Sequence, residues 1–111
     1  ICYLGGITRT LEVAKMAEKK SIPVTLHAAN LSLVTLFSAH IMGSINNPGK
    51  YLEFSIEGLD YYPWQDNIFT PDFKIVKGNL EMTHQPGWGI ENNRDWLSCA
   101  NHQVSFAGSR F

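Results

Sequence analysis

Apolar and polar residues follow two different periods along the first half of the chain. Between residues 8 and 20 apolar side chains recur every three to four positions with charged residues between them, which predicts an amphipathic helix. A β-rich run at residues 22–27, with its proline near the start, predicts a strand that ends at His27. Residues 30–43 predict a second helix whose apolar positions fall on nearly all sides. Such a helix needs packing partners in more than one direction.

Two further short apolar runs flank these helices. Residues 1–4 predict the end of a strand before the turn at Gly5 and Gly6, and residues 51–55 predict a third short strand. The order strand, helix, strand, helix, strand indicates parallel βαβ units of an α/β fold, whose strands are covered on both faces. Three strands alone would leave one edge of this sheet unpaired.

The pattern changes in the second half of the chain. Residues 57–72 are rich in aromatic side chains but have neither period, which predicts a packed loop. Residues 73–82 predict a β-hairpin that turns at Gly78, because glycine readily takes the positive φ of such turns. A short final helix is predicted at residues 94–100, with Asn92 or Asn93 as its cap.

Composition narrows the function classes. The chain has 111 residues, 44% of them hydrophobic, and nine Lys and Arg against ten Asp and Glu, which indicates one domain at most. This charge balance does not indicate the basic patch that nucleic-acid binding needs, and no run approaches the roughly 18 apolar residues of a membrane span. A nucleic-acid binder and a membrane protein are therefore both disfavoured. A complete (β/α)8 barrel needs about 250 residues, so any barrel signature here would belong to part of one.

Three local features have ordinary interpretations. Cys2 and Cys99 lie at opposite ends of the chain; one disulfide is possible, but two free thiols in a reducing cytosol are favoured. No secretory signal is visible, which also favours a cytoplasmic location. Asn30 begins a glycosylation-like triplet, and we interpret it as a helix cap.

His27 is the strongest candidate for chemistry. It ends a predicted parallel strand, and side chains at such strand ends face the site in α/β folds. A histidine oriented by a neighbouring carboxylate is a natural general base for taking a proton from carbon, although a structural histidine is the alternative.

Glu53 is the candidate carboxylate. It alternates with Leu52 and Phe54, so it points away from them, into a barrel interior or, alternatively, to solvent at the strand end. A buried Glu53 would need a partner or a raised pKa, either of which makes it a candidate acid or hydrogen-bond donor to an oxyanion. Glu57 is the rival carboxylate and belongs more naturally to the loop.

Other residues give weaker indications. His40 is expected to be a core or edge histidine, His84 and His102 fall in the irregular tail, and no pair has metal-ligand spacing. Three aromatic residues either wall a ligand pocket or pack the loop over the rim, the second use being the commoner one: Tyr61, Tyr62 and Trp64.

Four sequence stretches together resemble a known family. They are Gly-Gly-Ile-Thr at residues 5–8, Ile-Pro-Val-Thr-Leu-His-Ala-Ala-Asn at 22–30, Tyr-Leu-Glu-Phe at 51–54 and Pro-Gly-Trp-Gly at 86–89. Their order and spacing resemble the C-terminal part of the mandelate racemase and muconate-lactonizing enzyme family, within the enolase superfamily. Residues 53–64 look most like the acid-sugar dehydratase-like members.

The resemblance implies a C-terminal part of a (β/α)8 TIM-type barrel. Residues 1–4 would follow the end of strand six, residues 24–27 would be strand seven and residues 51–54 strand eight. Residues 1–58 would then hold the last βα units. Residues 59–111 would hold a loop, a hairpin and a short helix that return to the capping domain.

By the same resemblance, His27 matches the general base that removes the proton α to a substrate carboxylate. Glu53 matches the strand-eight acid, and Mg2+ stabilises the enediolate. The family's metal ligands and the aspartate that orients the base lie on strands that precede this chain. We therefore expect part of a magnesium-dependent lyase or racemase acting on a sugar acid, homo-oligomeric when whole and inactive as this chain alone. The alternative is a non-catalytic half-barrel module that associates with another chain.

Overall fold

The computed structural model describes residues 1–63, 65, 67–101 and 103–104. Trp64 and His102 lie outside the described residues. The described chain contains three helices and four short strands. In chain order they are α1 (Ile7–Glu18), α2 (Leu33–Ser44), β1 (Phe69–Thr70), β2 (Lys74–Val76), β3 (Asn79–Glu81), β4 (Glu91–Asn92) and α3 (Arg94–Cys99).

Each of the three predicted helices is present. α1 follows Gly6, whose φ of 101° suits a residue without a side chain. The Thr10 hydroxyl in its first turn donates to the Gly6 carbonyl at 2.8 Å. This hydroxyl is almost completely buried, so the bond satisfies a polar group that would otherwise be costly.

Ser32, rather than Asn30, caps α2. The Ser32 hydroxyl accepts a hydrogen bond from the Val34 N–H at 3.1 Å, and it donates to the Asn30 side-chain oxygen. The prediction of Asn30 as the cap was wrong because the helix begins later, at Leu33, which moves the cap position to Ser32. Asn30 instead orients the residue that caps.

Side chains contact α2 on nearly all sides, as its apolar pattern predicted. One side meets the core cluster, whose buried members are Leu26, Ile41 and Met42. On another side the Trp88 ring lies against Phe37, with ring centroids 4.5 Å apart, and against His40 at 5.2 Å. The cluster is completed by partly buried side chains from α1 and the neighbouring segments: Ile1, Ile7, Leu11, Val24, Ile45 and Leu52.

The three barrel strands are not formed as strands in this structure. Residues 1–4 form a turn, in which the Gly6 N–H donates to the Ile1 carbonyl at 3.1 Å, so the expected strand end there was wrong. Residues 22–27 and 51–55 lack regular strand pairing within the described chain, and the bridge found near them is a parallel one between Val24 and Pro48, which precedes the second segment. A strand requires a ladder of hydrogen bonds to its neighbours, and within the described residues this bridge is what remains of that ladder.

The parallel course of the two segments is nevertheless preserved. The Val24 N–H donates to the Asn47 carbonyl at 2.8 Å, and the Gly49 N–H donates to the Val24 carbonyl at 2.7 Å. Further along, the Ala28 N–H donates to the Glu53 side chain at 2.8 Å. Because partners advance together along both segments, the segments run side by side in one direction, with α2 as the connection between them.

The second half contains two antiparallel strand pairs. β2 and β3 form the predicted hairpin, in which Lys77 (φ 50°) and Gly78 (φ 78°) both have the positive φ of a tight two-residue turn. β1 pairs with β4, which the sequence did not indicate because each strand has two residues. The Asn93 side chain caps α3 by accepting from the Asp95 and Trp96 N–H groups, which confirms one of the two predicted caps.

Candidate functional site

His27 and Glu53 meet where the two parallel segments end. The His27 Nδ1–H donates to the Glu53 Oε2 atom at 2.7 Å. The same oxygen accepts the backbone N–H of Ala28 at 2.8 Å. The two residues that the sequence singled out separately as candidates for chemistry are therefore in direct contact, through one carboxylate oxygen with two donors.

The hydrogen bond fixes which imidazole nitrogen is available. A carboxylate oxygen can only accept here, so in the neutral ring the proton lies on Nδ1 and the lone pair on Nε2. The side chains of His27 and Glu53 remain 62% and 41% exposed. The arrangement can therefore present a basic nitrogen to a molecule that approaches from solvent.

The pKa of Glu53 is held below its ordinary value of 4.5. The backbone N–H of Ala28 makes the largest contribution, burial acts in the opposite direction, and the hydrogen bond and positive charge of His27 add to the lowering. Of the two alternatives for a buried Glu53, a partner or a raised pKa, the structure has the partner. The Glu53 carboxyl is ionised at neutral pH.

Tyr3, near the beginning of the chain, contacts the His27 side of this pair. Its ring stacks on the His27 imidazole with centroids 6.4 Å apart and an interplanar angle of 27°. Tyr3 itself is largely exposed, and it lies in the turn that precedes α1. The sequence gave no signal for this contact, because nothing in an apolar run at the start of the chain indicates which later residue it will meet.

Glu57, the rival carboxylate, is hydrogen-bonded elsewhere. It accepts from the Ser55 hydroxyl, and this bond together with nearby backbone N–H groups lowers its pKa. Glu57 and Glu53 line one small groove of about 150 Å³, with Ala29 at its other side. Glu53, not Glu57, is the carboxylate that contacts the His27 imidazole.

Tyr62 holds the aromatic loop against the end of the first parallel segment. Its hydroxyl donates to the Ala29 carbonyl at 2.9 Å, two residues after His27. Burial raises the pKa of this phenol, with further contributions from Tyr61 and Glu57. For Tyr62, packing of the loop is thus the use that the structure shows, while Trp64 lies outside the described residues.

The two other histidines that the structure describes, His40 and His84, do not contact this pair. His40 donates from Nε2 to the Trp88 carbonyl at 3.0 Å and so packs a loop onto α2, in agreement with the structural role predicted for it. His84 is exposed after β3, and His102 is outside the described residues. Cys2 and Cys99 are both free and exposed, as predicted.

Magnesium does not fit the residues that the structure describes. Among them, no three His, Cys, Asp or Glu side chains converge in a way that could hold a metal ion. Nor does this part of the chain contain a helix of the length and apolarity that crossing a membrane requires.

A second groove lies away from the pair. It measures about 470 Å³ and runs between α2, residues 50–54 and the β2–β3 hairpin. Neither His27 nor Glu53 lines it.

Comparison with known proteins identifies the family of this chain. Residues 1–96 match the family described as enolase C-terminal domain-like. The chain is 27% identical over 101 residues to the o-succinylbenzoate synthase of Bacillus subtilis, covering 83% of this chain and 24% of that protein. It is 28% identical over 92 residues to the D-xylonate dehydratase of Haloferax volcanii, covering 83% of this chain and 21% of that protein.

A crystal structure shows a similar fold. It belongs to a protein of Roseobacter denitrificans provisionally named a racemase, with 53% identity and a TM-score of 0.84 over 91% of this chain and 28% of that one. The chain thus spans a quarter or so of the length of these relatives. On the match over residues 1–96, the chain belongs to the enolase C-terminal domain-like family of the enolase superfamily.

Proposed function

We propose that this chain supplies the general base of a magnesium-dependent lyase or racemase that removes the proton α to the carboxylate of a sugar acid. The observation that carries the proposal is the 2.7 Å hydrogen bond between His27 Nδ1 and Glu53, which leaves Nε2 as the free basic nitrogen. Several relatives, named as dehydratases of sugar acids, support the substrate class.

The pair has the properties that proton abstraction from carbon requires. Nε2 of His27 takes the α proton, and the imidazolium that forms stays hydrogen-bonded to an ionised carboxylate. The Glu53 oxygen lies 2.7 Å from Nδ1, so the hydrogen bond to the ring can persist while Nε2 gains a proton. As the strand-eight acid of the resemblance, Glu53 would instead donate to substrate; the hydrogen bonds that it accepts here favour its ionised form.

The second charge that develops in the reaction lies on the substrate carboxylate. Mg2+ would stabilise that charge when bound, and the described residues supply no donor set for it. His27 would then face an α proton that is too weakly acidic to leave. We therefore propose that the 111-residue chain is inactive alone and acts as part of a whole enzyme that is cytoplasmic and homo-oligomeric.

Replacement of the base tests this assignment. In the whole enzyme that contains this chain, His27→Asn should lower kcat on sugar acids such as D-xylonate or D-gluconate by about 10²- to 10⁴-fold, because general base catalysis contributes that much. His84→Asn is the matched control, since it makes the same change at an exposed histidine, and it should leave kcat unchanged. Unchanged turnover in His27→Asn would contradict the role of His27.

The isolated chain tests the second part of the proposal. The purified 111 residues should show no turnover of these sugar acids at any Mg2+ concentration. Metal-dependent turnover by the chain alone would overturn its dependence on a larger protein.

The non-catalytic module remains the second candidate. Large apolar side chains are exposed beside the site, among them Ile56, which is 95% exposed. Either a partner chain or the rest of a barrel would cover them. Mass measurement in solution separates the two. A defined oligomer would favour the module, and heterogeneous aggregation would favour part of a larger enzyme.

A further inference from the structure

We infer that Glu57 is a specificity residue, which binds a hydroxyl group at the distal end of the substrate and disfavours a second carboxylate there. The whole enzyme would therefore act on sugar monoacids in preference to sugar diacids. This inference deepens the proposed function and rests on it. The feature that carries it is the small groove next to His27 and Glu53.

The first argument is the position of the groove. It is lined by Glu53 itself and by residues that closely follow the pair on both parallel segments, among them Ala29, Ser55 and Glu57. Ala29 lies two residues after His27, so the groove begins where the imidazole ends its own segment. A molecule whose reacting carbon meets His27 can therefore place its remaining carbons in the groove.

The second argument is the charge of the groove. Ser55 is buried, and its hydroxyl donates to the Glu57 carboxylate. This bond and the backbone N–H groups of Ile56 and Glu57 favour the ionised carboxyl, which lowers the pKa of Glu57. Glu53 lines the same groove, and among the described residues that line it there is neither lysine nor arginine. This part of the chain thus gives the groove negative charge without a compensating cation.

The third argument is what an ionised carboxylate can bind. It only accepts hydrogen bonds, and of its roughly four acceptor positions the Ser55 hydroxyl and the two backbone N–H groups take about three. About one position is left for a hydroxyl group of the substrate, which would make a charge-assisted hydrogen bond. A second carboxylate of the substrate would instead meet a charge of its own sign. Glu57 therefore favours a hydroxyl group over a carboxylate at the same place.

The fourth argument is that the groove is held in shape on both sides. The Tyr62 hydroxyl donates to the Ala29 carbonyl at 2.9 Å, which fixes the aromatic loop beside it. On the other side Ser55 fixes the Glu57 carboxylate. The volume of about 150 Å³ is many times the roughly 10–15 Å³ that one water needs, so hydroxylated carbons can replace water here. A carboxylate that is already held in place binds its partner at a lower entropic cost.

The test compares two acids that differ at the distal carbon alone. D-Gluconate ends in a hydroxymethyl group, and D-glucarate ends in a second carboxylate. In the whole enzyme that contains this chain, kcat/KM for D-gluconate should exceed that for D-glucarate by about tenfold or more, because like charges disfavour the diacid. Glu57→Gln keeps the size of the side chain and removes the charge. It should reduce the ratio by about tenfold, chiefly through a lower KM for D-glucarate.

Two further variants make the result specific. Glu12→Gln makes the same change at an exposed position of α1, and it should leave the ratio unchanged. Ser55→Ala retains the Glu57 charge but releases the carboxylate, so it should reduce the ratio by less than Glu57→Gln does, and it serves as the test where Glu57→Gln does not fold. A wild-type preference for D-glucarate, or a ratio that neither Glu57→Gln nor Ser55→Ala changes, would overturn the inference.

Binding separates the role of Glu57 from the proposed function. In the whole enzyme with His27→Asn, calorimetry measures the Kd of both acids without turnover. Tighter binding of D-gluconate that Glu57→Gln abolishes supports the role of Glu57, and it does so even if His27→Asn retains full turnover, which would contradict only the assigned base. Equal binding of the two acids, with turnover lost in His27→Asn, contradicts the role of Glu57 alone. Binding of neither acid contradicts both.

Discussion

The two halves of the chain are built on different physical grounds. Among the described residues, the buried apolar side chains other than Phe69 all lie in residues 1–58, which also contain His27 and Glu53. The described part of residues 59–104 consists of loops, short strand pairs and a six-residue helix without buried residues. The candidate site thus lies on the half that is stabilised by a core.

The second half is attached through a few aromatic contacts. Phe73 meets Phe54 of the first half at 5.4 Å between ring centroids, edge to face, and it packs in the same way on Phe69 of its own half at 5.3 Å. Trp88 rests on α2, and Tyr62 bonds the Ala29 carbonyl. Because these contacts are local, a substitution that removes one of them should increase the mobility of the second half without disrupting the core that positions the site.

The largest expected effect comes from a cavity in the first half. Leu26, which is 5% exposed, is a buried member of the core cluster, so Leu26→Ala should lower the free energy of unfolding by about 2–5 kcal/mol. Ile75 on the hairpin is 48% exposed, and Ile75→Ala should cost about 1 kcal/mol or less. Urea titrations of the two variants measure this contrast, which equal losses would contradict.

The close approach of the two parallel segments is the next target. A Cβ added at Gly49 would lie 1.8 Å from the Thr25 hydroxyl oxygen, so Gly49→Ala should destabilise the chain by about 1–3 kcal/mol. Thr25→Ala removes that oxygen, and the double variant should recover part of the loss. A double-mutant cycle in urea measures the coupling, and strictly additive effects would show that the segments are not in contact there.

A smaller effect is expected where the second half meets α2. Trp88→Ala removes two aromatic contacts, each of which contributes about 0.5–1.5 kcal/mol beyond area burial in favourable cases. Trp96 on α3 has nearly the same exposure and provides the matched control, for which a smaller loss is expected. In both variants the His27 nitrogens should keep their wild-type NMR signals, since the site belongs to the other half. Altered His27 signals in Trp88→Ala would mean that the halves are coupled.

The smallest effect is an acid dependence of stability. A carboxyl whose folded pKa is lowered stabilises the fold fully above its ordinary value of 4.5, and this contribution is lost as pH falls through the folded pKa. Below about pH 4.5 wild type should therefore lose stability more steeply than Glu53→Gln, which has no such carboxyl. Both side chains are well exposed, so the difference should be small and should shrink in high salt. Parallel pH profiles of the two proteins would contradict the lowered pKa.

Elements with strong local signals could be predicted from the sequence. The apolar stripe of α1, the all-round apolar pattern of α2 and the glycine turn at Gly78 each determine local structure within a few residues. The cap at Asn93 also follows from a local hydrogen bond. These features need no information from distant parts of the chain.

The expected barrel strands depend on partners instead. Residues 22–27 and 51–55 have the composition of strands, but a strand forms only beside a neighbour, and in the described chain the bridge made by the first segment is with Pro48, just before the second. The turn at residues 1–4 has the same explanation, since a short apolar run without a partner closes on itself through bonds such as that from Gly6 to Ile1. Composition therefore indicated which segments run in parallel, but not how fully they pair.

The site divides in the same way. His27 and Glu53 could be singled out because strand ends and alternation are readable in the sequence, and the resemblance assigned them roles. One Glu53 oxygen accepts from both the His27 ring and the Ala28 backbone N–H. This arrangement could not be predicted, because it depends on the register of two segments whose contacting residues are 25 positions apart in the chain. That register brings the two donors to Glu53, which places the proton of the neutral His27 ring on Nδ1 and favours the ionised Glu53 carboxyl.

The central claim, that His27 removes the α proton, is tested most directly with a sugar acid deuterated at its α carbon. In the whole enzyme, NMR should detect release of that deuterium to water by wild type, with a primary isotope effect on kcat, and no release above background by His27→Asn. Release by His27→Asn at the wild-type rate would contradict the claim, whatever the final product.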